Sequence, residues 1–272
     1  MSEEQSETTF DVRVERPASG GAVGRAPDGR VTFVRYALPG ELVRVAVNEA
    51  TSSFYRGEAV DVLEASPERV APLCPYFHPG GCGGCDLQEA SKSAQLEWKV
   101  ALVREHLRRI AGLERDVQVT ATSGTGEGSR TRLRCGVDED GILGLRRARS
   151  HELVAIDTCW ISDPVFSQAF AHAWPGVDEV ELRAIGTGAP FAVSRRNAER
   201  GAQYDLRSLE GAPLDPSTHS RVEVRDHVYT VGPQSFWQSH RDAPELLVNA
   251  VLDYAAVSAD DDVVDLFSGV GL

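Results

Sequence analysis

The sequence lacks the features of a membrane-spanning or secreted protein. It contains no apolar run of about 18 residues, the length that a transmembrane helix needs. Its first residues, MSEEQSETT, are polar and acidic and include no apolar segment of the kind found in signal peptides. We therefore predict a cytoplasmic protein without a membrane anchor, in which residues 1–7 form a disordered tail.

Positive charge is also scarce. Lys and Arg total 28 against 41 Asp and Glu, which gives a formal net charge of -13. An acidic chain repels nucleic acid on average, so nucleic-acid binding would require local clusters of basic residues. The length of 272 residues fits two or three domains rather than one small domain. A monomer is the default expectation for the oligomeric state.

Cysteine is rare, but its placement is informative. Three of the five cysteines lie in a loop rich in Gly and Pro with the spacing C-x7-C-x2-C, and a fourth follows much later in DTCWISDP. Three close thiolates and one distant thiolate can enclose an iron–sulfur cluster, and a similar set can bind zinc, with His78 able to replace one cysteine. The residues alone leave both metals open. The candidate ligands are Cys74, Cys82, Cys85 and Cys159.

The first part of the chain is predicted to form a small closed barrel followed by a loop and a helix. Short runs rich in Val, Phe and Tyr, separated by glycine turns, fill residues 8–65 and favour an OB-type barrel. Residues 66–90 have no periodicity. A helix is expected over residues 91–111, with Ser91 or Ser93 as its N-cap and Gly112 as its end. Its apolar face is predicted from the spacing of Leu96, Val100, Val103, Leu107 and Ile110.

Residues 115–231 are predicted to be mixed strands and loops. An acidic turn at 138–141 separates two strand-like runs and indicates a hairpin, and Cys135 in the first run is expected to be a buried small residue. A second strand pair is expected near 222–232, and a helix over 241–256. The segment VVDLFSGVGL at 263–272 is predicted to be a buried strand that runs into a glycine turn.

A cluster of arginines on the predicted hairpin is the candidate nucleic-acid contact. Alternation at 130, 132 and 134 would place three guanidinium groups on one face of a strand, where they could follow phosphates. The alternative is a solvated face whose arginines pair with Asp138, Glu139 and Asp140. The candidate residues are Arg130, Arg132, Arg134, Arg146, Arg147 and Arg149.

Several of these segments together resemble a known family. CPYFHPGGCGGCDLQ, RTRLRCGV, GLRRARSHELVAIDTCWI, QSFWQ and DLFSGVGL occur in this order in the chain. They are similar to segments of the RNA uracil-5-methyltransferases, in particular the branch that methylates 23S ribosomal RNA and carries an N-terminal TRAM domain. A transfer RNA substrate is the other option within the family.

The resemblance implies a multidomain α+β and α/β protein with two cofactors. It implies a TRAM-like barrel at 8–65, a central domain at 66–231, and the beginning of a Rossmann-like S-adenosylmethionine-binding domain at 232–272. It also makes the four cysteines ligands of a 4Fe-4S cluster, although the first gap is two residues longer than usual. The implied S-adenosylmethionine contacts are Gln238 and Phe267, to which the glycine-turn pattern adds Asp265, Gly269 and Gly271.

The resemblance implies methyl transfer to uridine C5, but it assigns no catalytic residue here. In the family, the nucleophile and the base follow the glycine turn, so we expect a chain that ends within the cofactor domain and is inactive alone. His240 and Leu272 stand where the family often has Asn. The competing hypothesis is a non-catalytic RNA-binding module with a structural iron–sulfur or zinc centre.

Overall fold

The computed structural model describes residues 8–198, 201–258 and 260–272. The predicted tail at 1–7 lies outside the described residues. The chain divides into two compact units, the first ending at Ala121 and the second beginning at Thr122. Within the described ranges, no helix combines the length and the apolar character needed to cross a membrane.

A closed five-stranded barrel forms the beginning of the first unit. Its strands are β1 (Thr9–Ala18), β2 (Gly21–Arg25), β3 (Val31–Arg35), β4 (Leu42–Ala50) and β5 (Phe54–Glu64). They follow the order β1-β2-β3-β5-β4, and β4 pairs with β1 to close the barrel. The β3–β5 pair is parallel, and the other neighbours are antiparallel. The predicted small barrel is therefore confirmed.

Small and β-branched residues allow the barrel to close tightly. Val12, Val14 and Val43 alternate with exposed positions and fill the interior, as period-2 patterning requires. Gly57 on β5 lies so close to β4 that a Cβ atom there would overlap the carbonyl oxygen of Ala46. A glycine is needed at this position because the two backbones approach too closely for any side chain.

A buried carboxylate fixes the chain where it leaves the barrel. Glu41 is wholly buried, and its oxygens accept hydrogen bonds from the backbone N–H of Leu38 at 2.8 Å and of Ser66 at 3.0 Å. Arg69 Nε and Nη2 donate to the two oxygens at 2.6 and 2.7 Å. The start of β4 is thereby joined to the segment that follows β5.

The helix predicted over 91–111 is present as α1 (Lys92–Ala111). Ser91 is its N-cap, because its Oγ accepts the N–H of Ala94 at 3.2 Å, and Gly112 ends it with a φ of 65°. Both terminal signals in the sequence are confirmed, and the left-handed conformation at Gly112 is the usual C-terminal stop.

The predicted apolar face of α1 was partly wrong. Trp98 is the buried residue of this helix, with Ala94 and Leu102 packed beside it, whereas Val103 is 42% and Ile110 is 82% exposed. The spacing of the aliphatic residues alone predicted that a different side of α1 would be buried. The large indole of Trp98 removes more apolar surface from water than an aliphatic side chain does and sets the packed face.

An antiparallel six-stranded sheet dominates the second unit. Its strands are β6 (Arg132–Val137), β7 (Leu143–Arg146), β8 (Leu153–Ala155), β9 (Glu179–Arg183), β10 (Phe191–Ala198) and β11 (Gly201–Arg207). Their order is β11-β10-β9-β6-β7-β8. One face packs on a core around Phe166, Trp174 and Leu209. The predicted hairpin is confirmed, because β6 and β7 pair across the turn at 138–142.

The second unit also contains a hairpin, two α-helices and a 3-10 helix at Pro164–Phe166. A separate hairpin consists of β12 (Ser220–Val224) and β13 (His227–Val231), and helices are α2 (Ser167–Phe170) and α3 (Ala243–Ala255). The strand pair expected near 222–232 and the helix expected over 241–256 are both confirmed.

The segment at 263–272 differs from its prediction. The turn is present, with positive φ at Phe267, Gly269 and Gly271, but residues 260–272 form no strand. Val263 and Val264 are 67% and 78% exposed rather than buried. A strand needs a neighbour for its backbone hydrogen bonds, and no described strand pairs with this segment.

We predict that Glu41→Gln destabilises the first unit by about 3 kcal/mol, because Arg69 and two backbone amides lose their charged partner. Burial by itself would raise the pKa of Glu41, but the hydrogen bonds from Arg69, Leu38 and Ser66 prevail and hold the pKa below its ordinary value. Urea denaturation measures the loss. The exposed partner of Arg13, Glu64, provides the control Glu64→Gln, which should change stability by less than about 0.5 kcal/mol. Equal effects of the two substitutions would contradict the role of Glu41.

Candidate functional site

The cysteine loop is packed on the barrel and held by one glutamine at each end. The N–H of Cys74 donates to Gln88 Oε1 at 3.1 Å. Gln95 on α1 donates from Nε2 to the carbonyls of Leu87 at 3.1 Å and Ala90 at 3.0 Å. Cys74 also packs against the barrel core. The loop therefore has a defined path although it has no regular secondary structure.

Backbone hydrogen bonds hold the part of this loop around Cys82 and include one to its sulfur atom. The N–H of Gly84 donates to Cys82 Sγ at 3.3 Å, and the N–H of Cys82 donates to the carbonyl of Tyr76 at 2.9 Å. A Cβ atom at Gly81 would overlap the carbonyl oxygen of Tyr76, so this glycine permits the tight fold of the loop. An N–H donor to sulfur favours a thiolate, the form that binds metals.

The side chains do not form a closed metal site. Among the residues that the structure describes, no group of three or more His, Cys, Asp and Glu side chains is arranged to hold a metal ion. The thiol donors suit either an iron–sulfur cluster or zinc, and their arrangement does not distinguish between the two. The identity of the proposed metal consequently depends on the family resemblance and on chemical analysis.

Buried polar groups lie between this loop and the barrel. Arg35 donates to Asp86 Oδ1 at 2.6 Å and to the carbonyl of Cys85. Three buried atoms have no hydrogen-bond partner among the described residues: Arg35 Nε, Tyr36 Oη and Glu89 Oε2. Burial raises the pKa of Glu89 to about 7, despite opposing contributions from its backbone N–H and from the charges of Arg69 and Arg35. Glu89 thus changes charge near neutral pH.

The other two cysteines belong to the second unit. Cys159 is partly buried against the sheet core, and its carbonyl accepts hydrogen bonds from the N–H and Oγ of Ser162 at 3.0 and 2.9 Å. Cys135 is wholly buried on β6, as the sequence predicted. Its burial in an apolar core agrees with a packing role.

Two of the predicted RNA-binding arginines share a strand face. Arg132 and Arg134 alternate with buried residues on β6, and Arg134 pairs with Glu179 at 3.4 Å and Glu181 at 3.3 Å on β9. Arg132 Nε lies 3.5 Å from Glu181. The carboxylates that neutralise this face therefore come from the neighbouring strand and not from the turn at 138–140.

The remaining four arginines are distributed differently. Arg130 precedes β6 and is fixed by its backbone, whose N–H donates to the carbonyl of Ile161 at 2.8 Å. Arg146 bonds to His151 at 2.9 Å, and Arg147 pairs with Glu152 at 2.7 Å. Arg149 is exposed at a turn with a φ of 56°. The six arginines do not form one strand face, and their contact with RNA stays a prediction.

The segment that contains Gln238 is held firmly against the sheet. The N–H of Thr131 donates to the carbonyl of Ser239 at 2.7 Å, and Arg132 donates to that of Trp237 at 3.4 Å. Arg183 on β9 donates to the carbonyls of Gly232 and Ser235 at 3.2 and 3.1 Å. Groups on the sheet and next to it thus hold in place the irregular segment that includes Gln238.

A cavity of 410 Å³ lies beside this segment. Arg241 pairs with Asp163 at 2.8 Å on its wall. The N–H of Asp242 donates to His240 Nδ1 at 3.2 Å, so the ring proton lies on Nε2 when the imidazole is neutral. The volume falls in the range of ordinary ligand sites, about 300–1,000 Å³. Its lining includes Thr131, Asp163, Ile185, Trp237, His240 and Arg241.

The structure brings the glycine turn to the same part of the second unit. Val270 and Leu272 pack against a cluster that contains Trp237, the residue before Gln238. Gly269 and Gly271 have positive φ and flank Val270. Two segments that the family resemblance linked to one cofactor therefore adjoin in space. Phe267 is fully exposed, and Asp265 is exposed as well.

Sequence reasoning did not identify the ion pair that supports this site. Glu181 and Arg183 on β9 are both buried, and Arg183 Nη2 lies 2.6 Å from Glu181 Oε1. The alternation in EVELR at 179–183 was the available signal, because charged residues replace apolar ones on one face of a central strand. Burial of that face is a tertiary effect that the strand pattern alone does not reveal.

Known proteins resemble the chain along nearly its whole length. Residues 5–60 match the TRAM domain model. An uncharacterized RNA methyltransferase of Streptomyces avermitilis is 36% identical over 97% of this chain and 67% of its own length. A 23S rRNA (uracil(1939)-C(5))-methyltransferase of Chromohalobacter salexigens is 33% identical over 97% of this chain and 62% of its own length. The chain thus spans roughly two thirds of the length of these relatives.

A solved structure shares the fold. The crystal structure of a Pyrococcus abyssi tRNA (uracil-54, C5)-methyltransferase in complex with S-adenosyl-L-homocysteine matches with a TM-score of 0.63 at 22% identity. The match covers 96% of this chain and 68% of that one. It confirms the predicted fold class, a barrel followed by a sheet-rich methyltransferase-like part.

We predict that Glu89→Gln stabilises the protein above pH 7 and has little effect below about pH 4.5. The pKa of Glu89 is about 7 in the fold against an ordinary value of 4.5. Wild type therefore loses stability as pH rises between these values, since ionising the buried carboxyl opposes folding. Gln cannot ionise, so at pH 8 the variant should be more stable by about 1–3 kcal/mol.

Urea denaturation at pH 5 and pH 8 measures this difference. The exposed Glu97 on α1 offers a matched control, Glu97→Gln, which should change stability little at either pH. A Glu89→Gln difference from wild type that is the same at both pH values would contradict the buried ionisation.

Proposed function

Because this chain belongs to the family of TRAM-domain RNA methyltransferases, we propose that it takes part in S-adenosylmethionine-dependent methylation of uridine C5 in RNA. Ribosomal RNA is the proposed substrate, since a 23S rRNA uracil-C5 methyltransferase is among its relatives. The proposed reaction takes place on cytoplasmic RNA. The adjacency of the Gln238 segment and the glycine turn around Trp237 is the observation that carries the proposal.

The residues of the chain have separate proposed roles in this reaction. S-adenosylmethionine would supply the methyl group. Gln238, Phe267 and Asp265 would contact it, and Gly269 and Gly271 would let the backbone approach it closely. Arg183 positions the Gln238 segment through two carbonyls. No residue of this chain is assigned as nucleophile or base.

The expected result of deleting the gene for this chain is the loss of 5-methyluridine from one position of 23S ribosomal RNA. Mass spectrometry of isolated RNA measures the modified nucleoside. Complementation with Gln238→Ala should restore about tenfold less modification than wild type, since a lost polar contact costs about 1–3 kcal/mol. Gln234→Ala, an exposed change in the same segment, should restore it fully.

The deletion strain also tests the substrate. Loss of 5-methyluridine from transfer RNA alone would support uridine methylation and contradict the ribosomal substrate. Unchanged 5-methyluridine in both RNA classes would refute the proposed function. Equal complementation by Gln238→Ala and wild type would refute the role of Gln238 only.

We also infer that Cys74, Cys82 and Cys85 are ligands of a 4Fe-4S cluster. The thiol spacing and the N–H donated by Gly84 to Cys82 support this inference. The proposed role is structural, because methyl transfer to uridine requires no electron. The cluster would order the loop that the barrel and α1 already support at its ends.

We predict about four irons per chain after anaerobic purification, with a visible absorption band, and loss of both in Cys82→Ser. Cys135→Ala is the matched control and should retain iron, because Cys135 is buried in the sheet core of the other unit. Stoichiometric zinc in a colourless wild-type protein would overturn the cluster and leave a zinc site in its place.

A further inference from the structure

A cleft lined by arginines lies in the first unit, and its lining includes none of the cysteines. Its volume is 670 Å³. The second half of α1 forms one wall, and Arg16 and Pro17 at the end of β1 form another. The residues that follow α1 complete the lining of the cleft. Its lining consists of Arg16, Pro17, Ala101, Arg104, Glu105, Arg108, Leu113, Glu114 and Arg115.

The arginines of this cleft are only partly neutralised. Arg16 lies 3.3 Å from Glu105, and Arg104 lies 2.5 Å from Asp116. Arg108 is exposed and has no ion pair within the described residues. Arg115 donates a hydrogen bond from Nη1 to the backbone carbonyl of Glu114 at 3.2 Å. Two guanidinium groups therefore remain available at the cleft.

Helix electrostatics explain only part of this arrangement. Arg108 is in the last turn of α1, where a cation complements the negative end of the helix dipole. Arg115 lies beyond that end, and Arg16 comes from a strand, so neither position is explained in this way. The lining contains four arginines and two glutamates. This excess of positive charge is opposite in sign to the net charge of -13 of the whole chain.

We propose that this cleft binds backbone phosphates of the RNA substrate. The proposal rests on the proposed function for the identity of the polyanion. A guanidinium group matches a phosphate with two parallel hydrogen bonds, and Arg108 and Arg115 have donors free for such contacts. Leu113, which is 43% exposed, offers an apolar surface to a ribose.

The test compares two double variants of the natural full-length protein. Arg108→Gln/Arg115→Gln removes the uncommitted guanidinium groups, and Lys92→Gln/Lys99→Gln removes the same charge from exposed positions nearer the start of α1. Binding of a ribosomal RNA fragment is measured by fluorescence anisotropy over a range of salt concentrations. Methylation of the same fragment is measured in parallel.

We expect the arginine variant to bind RNA about tenfold more weakly. Its slope of log affinity against log salt should fall by about 1.4, since each lost phosphate contact to a single strand contributes about 0.7. The methylation rate at saturating RNA should be unchanged, because the cleft lining includes none of the residues proposed to contact S-adenosylmethionine. The lysine variant should match wild type in all three measurements.

The outcomes separate the two proposals. Wild type that neither methylates nor binds the fragment would refute the proposed function. If wild type methylates the fragment and the arginine variant has unchanged affinity and salt slope, RNA binding at the cleft is refuted and the proposed function is not. Equal weakening by the lysine variant would also refute the cleft, because a general loss of positive charge would then explain the effect.

Discussion

The first unit depends on one buried carboxylate. Glu41 has no exposure to water, so its charge must be balanced by protein groups, and leaving it unpaired would cost several kcal/mol. Arg69 and the amides of Leu38 and Ser66 provide this balance. Because two of these partners follow β5, the barrel can satisfy Glu41 only when the chain leaves it along one path. Cys74 comes five residues after Arg69, so the position of the cysteine loop is set by the same constraint.

The second unit also contains a buried ion pair, which lies on β9. Glu181 and Arg183 form a buried pair, and Arg183 has donors left for the carbonyls of Gly232 and Ser235. A loop has no ladder of backbone hydrogen bonds, so its carbonyls need other donors. A guanidinium group that is fixed by a carboxylate can supply several hydrogen-bond donors at once. This explains how the irregular segment before Gln238 is held in place and why a charged residue occupies the buried end of a central strand.

Local signals predicted much of this fold, and long-range effects account for the rest. Ser91, Gly112 and the acidic turn after β6 act within a few residues, so the sequence revealed them directly. The face of α1 was misjudged because Trp98 packs on a barrel that the helix pattern does not contain. The partners Glu41 and Arg69 are 28 residues apart, and no periodicity connects them. The strand predicted at 263–272 failed for the same reason, because a strand depends on its neighbour.

Charge illustrates the difference between a sequence pattern and a surface. The arginines of β6 suggested a basic surface in the sequence, but Glu179 and Glu181 on the adjacent strand neutralise much of that face. Arg108 and Arg115 were not among the predicted RNA contacts, because Arg108 lies on the polar side of the predicted helix and Arg115 follows its end. A phosphate is attracted by guanidinium groups that have no carboxylate partner nearby, because a committed pair offers little net field. Arg108 and Arg115 meet this condition and line the cleft at the end of α1, so an acidic chain can still present a local binding surface for RNA.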